Sequence, residues 1–177
     1  MDTKRTLVIV RHAQAEAFAA DDHQRSLTPR GEADARALGA GLAHADVSPD
    51  AILVSDATRA RATWLAMLAG AETVGAQWRP DEEFTPAVYT ADADYLLQLV
   101  RERDEAARTL VVVGHNPTVA SLALLLDDGE GDATAAREMA GGFPTASRAV
   151  FTVHGAWAEL SFGTATLRSF AVAGGAG

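Results

Sequence analysis

Three short apolar runs, each followed by a polar residue, constrain the fold of this chain more than any other feature. The runs cover residues 7–10, 52–54 and 110–113, and their β-branched composition is typical of buried strands. His12 lies just beyond the first run and His115 just beyond the third. Because ligands bind beyond the carboxyl ends of the strands in open α/β sheets, we expect both histidines at one ligand-binding edge.

The segments between and after these runs predict an alternation of helices and strands. Strands are predicted at 6–11, 51–54, 73–78, 109–113, 147–153, 157–162 and 165–172, and helices at 29–45, 57–69, 92–104 and 117–126. Residues 79–90 and 127–142 are predicted to be loops. The pattern favours a three-layer α/β fold whose central sheet is mostly parallel, with helices on both faces and an antiparallel edge from the C-terminal strands. We expect one domain over residues 1–173 and a disordered tail over 174–177.

Charge and composition exclude several classes of function. The net charge of −9 argues against a surface for nucleic acid or anionic membrane. The chain has no cysteine, so disulfides and thiolate metal sites are unavailable. The N-terminal apolar run is too short for a signal peptide or a membrane span. A cytoplasmic location and a monomer or weak dimer are the resulting expectations.

The polar residues at the three strand ends indicate an anion site, most simply a phosphate site. Arg11 and His12 follow the first run, Arg59 lies in the first turn of the helix after the second, and His115 follows the third. Arginine suits phosphate because its planar fork binds two oxygens at once. A histidine can attack phosphorus if one ring nitrogen is unprotonated and the other N–H is held by a carbonyl.

Each of these residues also has an ordinary structural interpretation. A histidine after a strand is often a loop or capping residue, and Arg59 alone could be a surface helix residue. A metal site is possible in principle, but two neighbouring arginines would repel a cation, so no metal and no cofactor are expected. Arg61 is predicted to point away from the site. The other three histidines, His23, His44 and His154, are predicted to be ordinary surface residues.

Four segments resemble the motifs of the histidine phosphatase superfamily. Arg11-His12 is similar to the Arg-His-Gly signature, with Ala13 where glycine is usual. Residues 55–63 resemble the pattern Ser-x-x-x-Arg-Ala-x-x-Thr, and residues 113–117 resemble the motif of the second histidine. Residues 25–31 are similar to the Arg-x-Leu-Thr-x-x-Gly stretch of the short bacterial phosphohistidine phosphatases. Ala13 and the short chain count against the phosphomutase branch.

The resemblance implies a phosphoglycerate mutase-like fold and a role for each matched residue. His12 is implied as the nucleophile that carries a transient phosphohistidine. The implied ligands of the phosphoryl oxygens are Arg11, Arg59 and His115, with Arg25 as a further contact. Glu83, in a segment similar to Glu-Leu-Thr-Pro, is implied as the proton donor, with its neighbour Glu82 as the alternative.

The function expected on this basis is that of a metal-independent phosphatase acting through phosphohistidine on His12. Its substrate is expected to be protein phosphohistidine. A small phosphorylated metabolite remains an alternative substrate. A phosphate-binding module without turnover and a phosphomutase are the two alternative functions.

Overall fold

The computed structural model describes residues 3–174, which form a six-stranded mixed sheet covered by helices on both faces. The strands are β1 (Lys4–Arg11), β2 (Ala51–Ser55), β3 (Asp81–Thr85), β4 (Thr109–Gly114), β5 (Ser147–His154) and β6 (Ala165–Val172). The helices are α1 (Pro29–His44), α2 (Thr58–Thr73), α3 (Pro86–Thr90), α4 (Ala93–Arg101), α5 (Thr118–Leu126) and α6 (Ala133–Gly141). Two short 3₁₀ helices cover Asp22–Gln24 and Trp157–Glu159.

The strand order is β3-β2-β4-β1-β5-β6. The first four strands in this order are parallel, whereas β5 pairs antiparallel with β1 and β6 pairs antiparallel with β5. The carboxyl ends of β1, β2 and β4 therefore lie side by side at one edge of the sheet. This confirms the predicted three-layer α/β fold with its antiparallel C-terminal edge.

Alternate residues of the central strands lie in two separate hydrophobic cores, one on each face of the sheet. Val8 and Val10 of β1 face a core that includes α1 and α2, whereas Leu7 and Ile9 face a core that includes α4, α5 and α6. Strands buried on both faces read as continuous apolar runs, which explains why these strands were visible in the sequence. The six strands of the one sheet extend from Lys4 to Val172, so we propose that the chain forms a single domain, as predicted for residues 1–173. The tail predicted for 174–177 lies outside the described residues, apart from Gly174.

The predicted strand at 73–78 is wrong, because this segment ends α2 and then continues without regular structure. Gly75 has a φ of +89°, and the Ala76 N–H donates to the Ala71 carbonyl, which together terminate the helix. Trp78 is buried although it lies in no strand, because its ring stacks on Trp64 in the core, with ring centroids 6.1 Å apart.

The loop predicted at 79–90 instead contains β3 and α3. Strand β3 is the edge strand and is rich in acidic residues, so it lacks the apolar alternation that marks a strand. Glu82 accepts a hydrogen bond from the Trp64 indole N–H at 2.8 Å. Because its charged side chains bind residues in or beside the neighbouring helices, this strand lacks the apolar pattern by which a strand is predicted.

Two further predictions near the C-terminus are wrong. The loop predicted at 127–142 contains α6, which Asp132 caps by accepting a hydrogen bond from the Ala135 N–H. The strand predicted at 157–162 is a 3₁₀ helix and a turn. There the buried Trp157 donates its indole N–H to the Ala107 carbonyl, and the Glu105 carboxylate accepts its backbone N–H. The apolar residues of this segment therefore pack in the core and do not pair in the sheet.

Helices α1 and α2 approach so closely that glycine is required at their crossing. A Cβ atom on Gly39 would lie 1.8 Å from the Met67 carbonyl oxygen, which is backbone and cannot rotate away. We expect Gly39→Ala to lower the free energy of unfolding by about 3 kcal/mol, the upper range for overpacking a core. Urea unfolding at equilibrium measures this change.

Gly41 provides the matched control on the same helix. The nearest atom to a Cβ at this position is the terminal Arg148 Nη2, at 3.6 Å. We expect Gly41→Ala to leave stability unchanged or to raise it by about 0.5–1 kcal/mol, because alanine is the better helix former. Equal effects of the two substitutions would contradict the assigned helix crossing.

Candidate active site

The carboxyl ends of β1, β2 and β4 bring three of the predicted residues into direct contact. The His12 N–H donates to the Gly114 carbonyl at 3.0 Å, which fixes the end of β1 beside the end of β4. The ring centroids of His12 and His115 are 5.2 Å apart. The Arg59 Nε–H donates to His12 Nε2 at 3.3 Å. Side chains from three strand ends thus converge on one point, as the sequence predicted.

The hydrogen bonds of His12 define which of its two ring nitrogens is unprotonated. His12 Nδ1 lies 2.8 Å from the Ala13 carbonyl oxygen, which can only accept, so Nδ1 carries the proton. Nε2 therefore presents its lone pair. Burial lowers the pKa of His12 to about 4, against the hydrogen bond to Ala13 and with the nearby arginines 59, 11 and 25 acting in the same direction as burial. The ring is neutral at pH 7, with its unprotonated nitrogen beside Arg59.

Arg59 is held in place from the first turn of α2. The Thr63 hydroxyl donates to the Arg59 carbonyl at 2.7 Å and accepts the Ala13 N–H at 3.0 Å. This hydroxyl therefore ties α2 to the segment that follows β1. Arg61, two residues further along, is exposed, and its guanidinium stacks over Phe84. Arg61 points away from the site, as expected.

The ring of His115 is held in place by Ser55. Ser55 Oγ accepts the Ala57 N–H at 3.2 Å and lies 2.7 Å from His115 Nε2. The simplest assignment is that the hydroxyl donates to Nε2, so that Nδ1 carries the ring proton. Burial lowers the pKa of His115 to about 3, and the nearby His12 and Arg59 lower it further. Within residues 3–174, Nδ1 is buried and has no hydrogen-bond partner.

Arg11 provides a second buried donor of the same kind. Its Nη1 donates to the Phe143 carbonyl at 3.1 Å, and this carbonyl also accepts the Asn116 side-chain N–H at 2.8 Å. Its Nε is buried and has no partner in the described part of the chain. Buried polar groups are normally paired in proteins, so unpaired donors beside His12 indicate a ligand that accepts hydrogen bonds.

Two residues of this site, Asp22 and Tyr89, were not predicted from the sequence. The Tyr89 hydroxyl donates to Asp22 Oδ2 at 2.8 Å, and Arg59 Nη2 donates to the same oxygen at 3.1 Å. These bonds hold the pKa of Asp22 near 2, with the Tyr89 hydrogen bond as the largest cause. The same contact raises the pKa of Tyr89. Neither residue lies in a run or a motif that would mark it, because the 3₁₀ helix at Asp22 and helix α3, which are far apart in sequence, bring them together.

Arg25 and His23 lie at the rim of the site. The Arg25 Nε–H donates to Asp22 Oδ1 at 3.0 Å. His23 Nε2 lies 2.8 Å from Asp56 Oδ1, and its ring packs edge-on against Tyr89 at 5.0 Å between centroids. The prediction that His23 is an ordinary surface residue is therefore wrong. His44 and His154 are exposed, as expected.

The structure does not bring Glu83 or Glu82 to this cluster. Glu83 pairs in register with Leu53, two residues before the end of β2, and its carboxylate binds Arg103. Glu82 binds Trp64, on the opposite face of the strand. The role of proton donor implied for Glu83 has no support in this geometry. The spacing in sequence was suitable, but the strand register leaves both carboxylates away from His12.

Residues 3–174 contain neither a candidate metal site nor a candidate membrane span. No three histidine, aspartate or glutamate side chains in this range are arranged to hold a metal ion. No helix in the same range is both long and apolar enough to cross a bilayer.

The protonation state of the two histidines gives a direct prediction. We expect His12 and His115 to be neutral at pH 6, with the protons on Nδ1 of both rings, because burial and neighbouring cations disfavour the imidazolium forms. Histidine ring ¹⁵N NMR measures protonation and tautomer together, and variants of each histidine assign the signals. An imidazolium signal for either ring at pH 6, or an Nε2-protonated His12, would contradict the assigned network.

The lowered pKa values also set the direction of the pH dependence of stability. Each ring in the unfolded chain takes up a proton near pH 6.5, whereas the folded values are about 4 and 3. Below pH 6.5 the unfolded chain therefore binds more protons than the folded protein. These two groups make the free energy of unfolding fall as the pH decreases from about 6.5 towards 4.

Comparison with known proteins gives a consistent family. The model of the histidine phosphatase superfamily (branch 1) matches residues 7–85. The uncharacterized protein Rv1276c of Mycobacterium tuberculosis is 34% identical over 152 residues, covering 85% of this chain and 90% of the relative. The uncharacterized protein ML1117 of Mycobacterium leprae is 31% identical, covering 85% and 88%.

Solved structures extend the likeness over nearly the whole chain. A candidate phosphohistidine phosphatase SixA from Nakamurella multipartitia is similar with a TM-score of 0.83 and 30% identity, covering 97% of this chain and 98% of that one. A second candidate phosphohistidine phosphatase SixA, from Agrobacterium tumefaciens, has a TM-score of 0.75 and 25% identity, covering 95% and 98%.

Proposed function

This chain belongs to the histidine phosphatase superfamily, and we propose that it hydrolyses protein phosphohistidine through a covalent phosphohistidine on His12. The observation that carries the proposal is the pairing of a neutral His12, whose Nε2 is unprotonated, with the Arg59 donor 3.3 Å away. The names of the two SixA relatives support the choice of substrate. No metal ion takes part in the proposed reaction.

The proposed reaction has two steps. His12 Nε2 attacks phosphorus, so that a P–N bond to His12 forms while the bond to the leaving group breaks and the leaving group keeps the electron pair. Water then attacks phosphorus, and the P–N bond breaks with its electron pair returning to Nε2. One proton of the water stays on its oxygen and the other passes to a phosphoryl oxygen, which gives dihydrogen phosphate, and this product releases a proton to solvent at neutral pH.

Four donors stabilise the negative charge on the phosphoryl oxygens during both steps. Arg59 offers its guanidinium beside His12 Nε2, and the unpaired donors are Arg11 Nε and His115 Nδ1. Arg25 contributes a further cation at the rim through its contact with Asp22. Donors fixed in a buried site stabilise such charge more effectively than water, because they need no reorganisation during the reaction.

The carboxylates near the site favour phosphohistidine over an alkyl phosphate. Asp22 has a pKa near 2 and is ionised at neutral pH, whereas Glu83 and Glu82 bind Arg103 and Trp64 and are not part of the cluster around His12. An alkoxide leaving group needs a proton, because the pKa of a hydroxyl is near that of water, about 15.7. A phosphohistidine ring that already carries its other proton leaves as neutral imidazole, whose conjugate acid has a pKa of about 6.5.

The test compares three substrates in the presence of EDTA. We expect hydrolysis of a phosphohistidine-bearing protein and of p-nitrophenyl phosphate, whose leaving groups need little protonation. We expect serine O-phosphate to react at least about 100-fold more slowly, the scale of a missing general acid. EDTA should leave all rates unchanged.

Each alternative function predicts a different result. Serine O-phosphate cleaved as fast as p-nitrophenyl phosphate would indicate a small-molecule phosphomonoesterase with a proton donor. Binding of phosphate without cleavage of any substrate would indicate a binding module. Transfer of the phosphoryl group to a second hydroxyl compound would indicate a phosphomutase, and inhibition by EDTA would contradict metal independence. The cytoplasmic location and the monomeric or weakly dimeric state stay predictions.

A further inference from the structure

Asp22 contacts three other side chains of the site from a single position in the 3₁₀ helix Asp22–Gln24. Its Oδ2 accepts from the Tyr89 hydroxyl and from Arg59 Nη2, at 2.8 and 3.1 Å. Its Oδ1 accepts from Arg25 Nε at 3.0 Å, and its backbone carbonyl accepts from Arg59 Nη1 at 2.8 Å. A side chain that is about half exposed thus holds two of the predicted phosphate-binding arginines.

The contacts with Asp22 use one particular edge of the Arg59 guanidinium. The terminal edge, formed by Nη1 and Nη2, binds the carbonyl and the carboxylate of Asp22. The lateral edge, formed by Nε and Nη2, faces His12, because Nε lies 3.3 Å from His12 Nε2. A guanidinium edge with two parallel N–H groups matches two oxygens of a phosphoryl group. Asp22 therefore occupies the edge that a phosphoryl group on His12 does not need.

We propose that Asp22 is a positioning residue, which fixes Arg59 by its terminal edge so that the lateral edge meets the phosphoryl group as it transfers to His12. The inference rests on the proposed phosphatase function and adds a residue to it. Tyr89 supports Asp22 by donating to the same carboxylate oxygen that Arg59 Nη2 binds. Asp22 acts through Arg59 and does not itself touch the reacting atoms.

The physical reason is the flexibility of arginine. The Arg59 side chain has four rotatable bonds, and donors contribute to catalysis only when they are fixed where charge develops. The two bonds to Asp22 hold the far end of the guanidinium, while α2 holds the backbone. Without the carboxylate, the bond from Arg59 Nη2 is lost or weakened, and the guanidinium is held less firmly. The transition state is then destabilised more than bound phosphate, because it depends more strongly on the geometry of the donors.

The test compares Asp22→Asn with the wild-type protein in turnover and in ligand binding. Asparagine keeps the size of the side chain but loses the charge, so the bond to Arg59 Nη2 is weakened. We expect kcat for p-nitrophenyl phosphate to fall about 10-fold with KM changed by less than about threefold, since the lost interaction acts in the transition state. Calorimetry should give an orthovanadate Kd about 10-fold weaker and an inorganic phosphate Kd within about threefold of wild type, because five-coordinate vanadate resembles the transition state.

Asp21→Asn is the matched control. Asp21 is the exposed neighbour that caps the same short helix by accepting the His23 N–H at 3.1 Å, and asparagine caps equally well. This variant is expected to retain wild-type turnover and binding. A second control places Asp22→Asn in an Arg59→Lys background, where we expect little additional loss because lysine has no planar edge to position.

Three results would overturn the proposal. Equal weakening of vanadate and phosphate, together with a lowered Tm, would mean that Asp22 only anchors its loop. Tighter binding of both ligands with unchanged or higher kcat would mean that Asp22 competes with the phosphoryl group for Arg59. A full Asp22→Asn loss in the Arg59→Lys background would mean that Asp22 acts on another group. An inactive wild-type protein would contradict the phosphatase function alone, and the ratio of vanadate to phosphate affinity would still decide the role of Asp22.

Discussion

Replacing His12 with alanine is expected to reduce kcat for p-nitrophenyl phosphate by at least about 10⁴-fold, the scale observed when the nucleophile of a covalent mechanism is removed. The expectation follows from the position of Nε2, which is unprotonated and lies next to the Arg59 donor. Steady-state release of p-nitrophenolate measures the change.

Binding of phosphate separates the role of His12 in chemistry from a role in structure. The arginines and His115 remain in the His12→Ala variant, so we expect calorimetry to show inorganic phosphate bound within about tenfold of the wild-type Kd. His44→Ala, a change of an exposed histidine at the end of α1, is the control and should retain full activity. Residual hydrolysis by His12→Ala above one hundredth of wild type would contradict the nucleophile assignment.

Replacing Arg59 with alanine is the second change with a large expected effect. We expect kcat to fall about 10³-fold, the upper range for loss of one fixed donor to developing charge. The loss includes the donor beside His12 Nε2 and the anchoring of the Asp22 loop, since Arg59 binds both the carbonyl and the carboxylate of Asp22. Arg59→Lys should recover only part of the activity, because lysine keeps the charge but not the planar edge.

Arg61→Ala is the control that the chain itself offers. Arg61 lies on the same helix two residues away, carries the same charge and is exposed over Phe84. Its removal is expected to leave kcat within about twofold, as is usual for exposed positions. Similar losses in the two variants would indicate that helix charge, and not the position of the guanidinium, explains the effect of Arg59.

The parts of the fold that were predictable are those whose burial leaves a signal in the sequence. Strands β1, β2 and β4 are buried on both faces and therefore read as apolar runs. Strand β3 was missed because it is an edge strand whose acidic side chains bind the flanking layers. The segments around Trp78 and Trp157 were assigned to strands because their apolar residues pack in the core without pairing in the sheet.

Some residues of the candidate site could likewise be predicted from the sequence, and others could not. His12, Arg59 and His115 follow strands or open a helix, so the topology of the sheet alone predicts that they meet. Asp22 and Tyr89 lie in segments 67 residues apart and meet only through tertiary contacts. Glu83 was assigned by likeness of a short segment, but strand register decides where its carboxylate lies. Local sequence could therefore predict that His12, Arg59 and His115 meet, but not that Asp22 and Tyr89 join them.

Trapping the covalent intermediate shows whether His12 is the residue that carries the phosphoryl group. The wild-type protein is mixed with p-nitrophenyl phosphate, quenched within one turnover in alkali, where phosphohistidine persists, and mapped by peptide mass spectrometry. We expect one phosphoryl group on His12, at Nε2, and none in the His12→Ala variant. A burst of p-nitrophenolate with no phosphoryl group on His12, or with the group on another residue, would contradict this expectation.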